Sequence, residues 1–78
     1  MIGRTMAQAK RDYEIGYLTE WRITRSTVEP VWLLILGSGN SVGPIVDART
    51  KHARVFKTLD GVVSILQQIG FEVNELRQ

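Results

Sequence analysis

Six consecutive apolar residues, Val31-Trp32-Leu33-Leu34-Ile35-Leu36, stand between Pro30 and Gly37. They limit the fold more than any other feature of the chain. The run is far too short for a bilayer span, which needs about 20 residues. Bounded by a proline and a glycine, and apolar throughout, it reads as a central strand covered on both sides. Side chains alternate along a strand, so Trp32, Leu34 and Leu36 point one way and Val31, Leu33 and Ile35 the other. Both faces need cover, from a chain of 78 residues. A single core of that size rarely contributes more than a few kcal/mol. Cysteine is absent and His52 is the only histidine, so disulfides, thiolate or histidine-cluster metal sites and a cysteine nucleophile are excluded. No metal or cofactor is expected.

Around that strand the pattern changes twice. Residues 5–14 hold good helix formers, with Met6, Ala9 and Tyr13 as a thin apolar stripe, and predict a short helix or a frayed tail. Met6 also offers an alternative start, which would make residues 1–5 an extension. From Ile15 the period becomes two. Ile15, Tyr17, Thr19, Trp21 and Ile23 share one face, with Leu18 the exception, and predict a half-buried strand that ends before Pro30. Gly37 to Ser41 is a turn by composition. Ile45 to Arg49 follows as a strand opened by Gly43-Pro44, Thr50-Lys51-His52 is a hairpin tip, and Ala53 to Lys57 pairs back. Thr58 then caps a helix. Asp60 lies in its first turn, and Leu59, Val62, Val63, Leu66 and Ile69 form its apolar stripe. Gly70 stops it, with Phe71 returning onto Leu66. Phe71, Val73 and Glu75 alternate as a short final strand or extended tail.

The order predicts one α+β domain over residues 1–78. It is an antiparallel meander of three to four strands with the C-terminal helix on one face, and residues 1–12 form an extension that is frayed or helical. With one firm helix, one sheet face lacks cover, and a homodimer built on that face or on an edge strand is expected. The first five residues have no apolar stretch of a signal peptide, and a soluble cytoplasmic protein, with no membrane association, follows as the expectation.

Few residues invite chemistry. Gly37-Ser38-Gly39-Asn40-Ser41-Val42-Gly43 has the look of a phosphate loop. Pro44 and a strand follow it, however, and no Gly-Lys-Ser/Thr occurs, so it reads as an ordinary turn. His52 lacks an evident orienting partner or pocket for base catalysis. Asp47 and Arg49, two apart on a strand, read as an exposed ion pair. The acid pairs Asp12/Glu14 and Glu72/Glu75 are too isolated for two-carboxylate catalysis. An enzyme, or any small-molecule substrate, is the least favoured reading. Trp21 and Trp32 fit core or interface better than base stacking.

Charge points elsewhere. Residues 1–58 carry nine Lys/Arg against five Asp/Glu, whereas residues 59–78 carry Arg77 against three acids, so the net +2 hides a basic portion. Its densest stretch is Arg49, Lys51, His52, Arg54 and Lys57, with no acid between Asp47 and Asp60. Such a hairpin suits phosphate contacts along DNA or in a major groove. Its register stays open between a short loop that opposes Arg49 and Arg54, and a five-residue loop that pairs Asp47 with Lys57 and Ala48 with Phe56. Arg22 and Arg25 would extend the patch but fall on opposite strand faces.

Arg54-Val55-Phe56-Lys57-Thr58-Leu59-Asp60-Gly61-Val62-Val63 through Ile69-Gly70-Phe71, with Trp32 to Gly37 and Gly43 to Arg49 before it, resembles short proteins of bacterial plasmids and integrated elements. Those proteins are labelled replication- or partition-related. The resemblance covers about residues 13–74. Its motifs are structural, so it implies a fold and a mobile-element accessory protein that touches DNA, with no functional residues to carry across. The expectation is a dimeric nucleic-acid-binding module using Arg49, Lys51, His52, Arg54 and Lys57. The alternative is a protein-interaction module without a nucleic-acid role.

Overall fold

The computed structural model describes residues 3–39 and 41–73. Helix α1 (Met6–Glu14) is followed by strands β1 (Glu20–Arg25), β2 (Trp32–Ser38), β3 (Ser41–Pro44) and β4 (Val55–Phe56), then by helix α2 (Leu59–Ile69). The fold class is the expected α+β arrangement of an antiparallel sheet with a C-terminal helix and a short N-terminal one.

α1 is set by a capping box. The Thr5 hydroxyl accepts from the Gln8 amide, and the Gln8 side chain accepts from the Thr5 amide. The helix ends at Ile15, and Gly16 follows at φ +85°, a left-handed value that suits glycine. The Tyr17 and Leu18 amides both donate to the Asp12 carbonyl and close the turn. The strand expected from Ile15 therefore begins only at Glu20. Ile15 and Tyr17 are exposed, and Leu18, the exception to the period-two pattern, is fully buried.

β2 is central. β1 pairs along one side, with Trp21 opposite Leu36 and Ile23 opposite Leu34. On the other side β3 pairs with residues 35–38 and β4 with Trp32 and Leu33, so the two short strands lie end to end along one edge. The sheet is not a simple meander, because β4 returns to β2 and skips β3. A Cβ on Gly37 would run into a Val42 methyl, so the close approach of β3 to β2 requires glycine there. Pro44 sits at the sheet edge. Its carbonyl points outward and accepts from the Arg4 amide at 3.1 Å, and its missing N–H interrupts no ladder bond.

Both helices pack on one face. Leu34, Leu36 and Phe56 meet Ala9 from α1 and Val62, Ile65, Leu66 and Ile69 from α2, with Trp21, Ile23 and Trp32 packed against this core. α2 starts at Thr58, whose hydroxyl accepts from the Gly61 amide at 3.1 Å, and stops at Gly70, where the Gly70 and Phe71 amides both reach the Leu66 carbonyl. The Tyr13 ring meets Phe71 edge-on at 4.6 Å and joins the two helices. Phe71 to Val73 form no strand. Val73 is buried in the core, and its carbonyl accepts from the Gln67 side chain, while Glu75 lies outside the described residues.

Arg4 is integral to this core. Its guanidinium is buried, ion-paired with Asp12 at 2.9 Å, and donates to the Leu36 and Ser41 carbonyls at 3.3 and 3.4 Å. Arg4, Ala9 and Asp12 thus tie this segment to the rest of the fold, and Met6–Glu14 is helical. Among the described residues no helix is long and apolar enough to cross a membrane.

Candidate nucleic-acid interface

The basic segment forms a hairpin in a register different from both alternatives drawn from the sequence. Val46 bridges Ala53, leaving residues 47–52 as the tip. Arg49 does not oppose Arg54, and Phe56 pairs with Trp32 rather than Ala48. The reason lies in the tip itself, which Asp47 organises. The Asp47 carboxylate accepts from the Arg49 and Thr50 amides at 2.8 and 3.0 Å. The Asp47 carbonyl accepts from the Lys51 amide at 2.8 Å, and the Asp47 amide donates to the His52 carbonyl at 2.9 Å. The Thr50 hydroxyl accepts from the His52 amide at 3.3 Å, and Lys51 takes a left-handed φ of +63°. These are the local side-chain bonds by which aspartate and threonine build turns. Asp47 and Arg49 are therefore not strand neighbours in an ion pair: the carboxylate binds the Arg49 backbone.

Those bonds hold the Asp47 carboxyl below the usual carboxylate range. The Thr50 amide is the largest cause and the Arg49 amide the next, with smaller help from the Arg54 and Lys51 charges. Arg49, Lys51 and His52 are exposed around the tip. Arg54 stands apart. It is half-buried at the base of the hairpin, with its guanidinium 5.5 Å from the centre of the Phe56 ring. Lys57 is exposed just before the Thr58 cap of α2. The structure thus gathers Arg49, Lys51 and His52 on one loop and sets Arg54 and Lys57 further along the returning strand.

The other candidates go elsewhere. Arg22 and Arg25 lie on opposite faces of β1, and Arg25 covers the Trp32 ring at 5.0 Å. Trp21 and Trp32 are half-buried on the helix side. The Gly37–Gly43 stretch is a β-hairpin and not a cradle at a helix start. Among the described residues no three His, Cys, Asp or Glu side chains converge on one point.

The sheet face opposite the helices is open. Cross-strand pairing sets its side chains in rows: Glu20, Gly37 and Val42; then Arg22, Ile35 and Pro44; then Thr24, Leu33 and Val55. None of the apolar members belongs to the core. The two-sided run from Val31 signals such a face, whereas the pairing of Glu20 and Arg22 with its rows depends on a register that the sequence alone does not specify.

No protein-family model, no curated protein and no solved structure matches the chain.

Proposed function

We propose that this chain is a nucleic-acid-contacting accessory module of a mobile element, which holds phosphates through the cations of residues 49–57. One observation carries the reading. Asp47, the only acid of the hairpin, turns its carboxylate onto the loop's own amides. Arg49, Lys51, Arg54 and Lys57 form no direct ion pair among the described residues. In a tip whose backbone is internally bonded, phosphate contact orders only the side chains of the cations.

The same bonds define the mode of contact. The Arg49 and Thr50 amides are occupied by Asp47, so the loop has no free backbone nest for a phosphate. No Phe, Tyr or Trp stands in the tip to stack on bases. What is left is side-chain charge on the backbone of a duplex, insensitive to base sequence and steeply dependent on salt. The resemblance to replication- or partition-related plasmid proteins leans the same way.

The test is fluorescence anisotropy with a mixed-sequence duplex at about 50 mM salt. The wild-type chain binds, and shuffling the duplex sequence leaves the affinity unchanged. Arg49→Glu combined with Lys51→Glu abolishes binding without altering the thermal melt. Absence of wild-type binding, or binding that survives the double reversal, removes the reading. The open sheet face favours a second one, a module that binds protein. There the same double reversal leaves partner binding intact.

A further inference from the structure

We infer that the open sheet face is a self-docking surface that joins two copies of this chain about a two-fold axis crossing the strands. The inference is independent of nucleic-acid binding. It starts from the side on which the helices lie. Both pack against Leu34, Leu36 and Phe56, so Leu33, Ile35, Val42, Pro44 and Val55 form a contiguous apolar patch on the other side. One margin of the patch, along β1, carries Glu20, Arg22 and Thr24.

The register makes this face complementary to itself. Consider a two-fold axis running across the strands between the Glu20–Gly37–Val42 row and the Arg22–Ile35–Pro44 row. It places each row against the other row of the second copy. Glu20 then meets Arg22 of the second copy, Ile35 packs on the Val42 methyl that overlies Gly37, and Val42 meets Pro44. Charge opposes charge, and apolar side chains meet apolar side chains. Glu20, Arg22, Ile35 and Val42 are among the residues that line a shallow surface depression on this face of the single chain. Among the described residues neither Glu20 nor Arg22 has an ion-pair partner within its own chain.

Alternative occupants fit less well. The chain's tryptophans and Phe56 are all on the helix side, so this face offers no stacking platform for bases. The charged margin also opposes insertion into lipid.

Area sets the strength. The seven residues of β2 span about 24 Å and three strands about 14 Å, which gives a flat face of roughly 340 Å² per copy. Side-chain relief raises the total accessible area buried by two copies toward about 1,000 Å², the lower limit for a specific interface. The dimer is therefore reversible, with a Kd on the order of 10–100 μM, rather than obligate.

Sedimentation equilibrium of the full chain, from about 1 to 500 μM, tests this against a charge swap. Wild type shifts from monomer to dimer over that range. Glu20→Arg alone and Arg22→Glu alone each weaken the dimer by about tenfold, because each sets like charges against one another twice per dimer. The double variant Glu20→Arg/Arg22→Glu regains the wild-type constant. Both side chains are exposed, so the variants keep the wild-type far-ultraviolet spectrum. A chain that stays monomeric at the highest concentration overturns the inference, even if a different protein is found on the face. So does a dimer insensitive to both reversals, which would point to pairing along the β1 edge, or a double variant no better than the singles.

Discussion

The Arg4 guanidinium lies beneath the β2–β3 hairpin, where it is bonded to Asp12 and to the Leu36 and Ser41 carbonyls. Removing one member of a buried pair leaves the other charge without its partner, and that penalty exceeds any gain from the pair itself. Asp12→Asn therefore destabilises the chain by about 3 kcal/mol in urea melts, whereas Arg11→Ala, whose side chain is 69% exposed at 3.7 Å from Asp12, changes stability by less than about 0.5 kcal/mol. Asp47 gives a second prediction, in pH. Its folded pKa is depressed, so the stabilisation of the tip is complete above the ordinary carboxylate value of 3.8 and is lost as pH falls through the lowered one. Amide exchange at Arg49 and Thr50 accelerates over that acid range in wild type, relative to Asp47→Asn, whose neutral side chain does not titrate. A wild-type profile that matches the Asn variant contradicts the assignment. Neither role was legible from the residues alone. Arg4 sits in a polar stretch, and only the fold carries it under the hairpin. The bonds of Asp47 required a six-residue tip, and the sequence left the register open.

At the scale of elements, α2 was the most legible, because independent signals agreed. Thr58 caps it, Asp60 lies in the first turn and Gly70 stops it with Phe71 reaching Leu66, as the spacing predicts. The α1–β1 junction misled because Ile15, Tyr17, Thr19, Trp21 and Ile23 alternate by coincidence across a helix end, a turn and a strand. The stronger signals were Thr5 and Gln8 at capping-box spacing and Gly16 as a stop. The strand pairing beyond β3 was hidden for another reason. β4 has only two residues, and its partner, β2, is distant in sequence. Two glycines of the α2 region separate backbone need from mere tolerance. At Gly70, φ is +131° and a Cβ would lie 2.7 Å from the Tyr13 ring, so Gly70→Ala costs about 1–3 kcal/mol. At Gly61 a Cβ would meet nothing closer than 3.5 Å, and Gly61→Ala stabilises α2 by about 0.5 kcal/mol. Thermal melts of the two variants shifting in the same direction would refute this account of the helix end.

The molecule as a whole is a sheet with helices on one side only. The run from Val31 to Leu36 already required cover on two faces, and α1, a candidate for the second, joins α2 on the first. One side of the protein is therefore left apolar with a charged margin, while the basic hairpin stands on the returning strand at the β4 end. Surface and hairpin use different residues, so reversing Glu20 and Arg22 leaves duplex affinity per chain unchanged. The nucleic-acid reading meets its most direct test in the salt dependence of duplex binding. With four side chains on phosphates, the logarithm of the association constant falls against the logarithm of salt with a slope of about −3.6 per chain, and Lys51→Ala reduces its magnitude by about 1. A slope near zero, or one that Lys51→Ala leaves untouched, contradicts it.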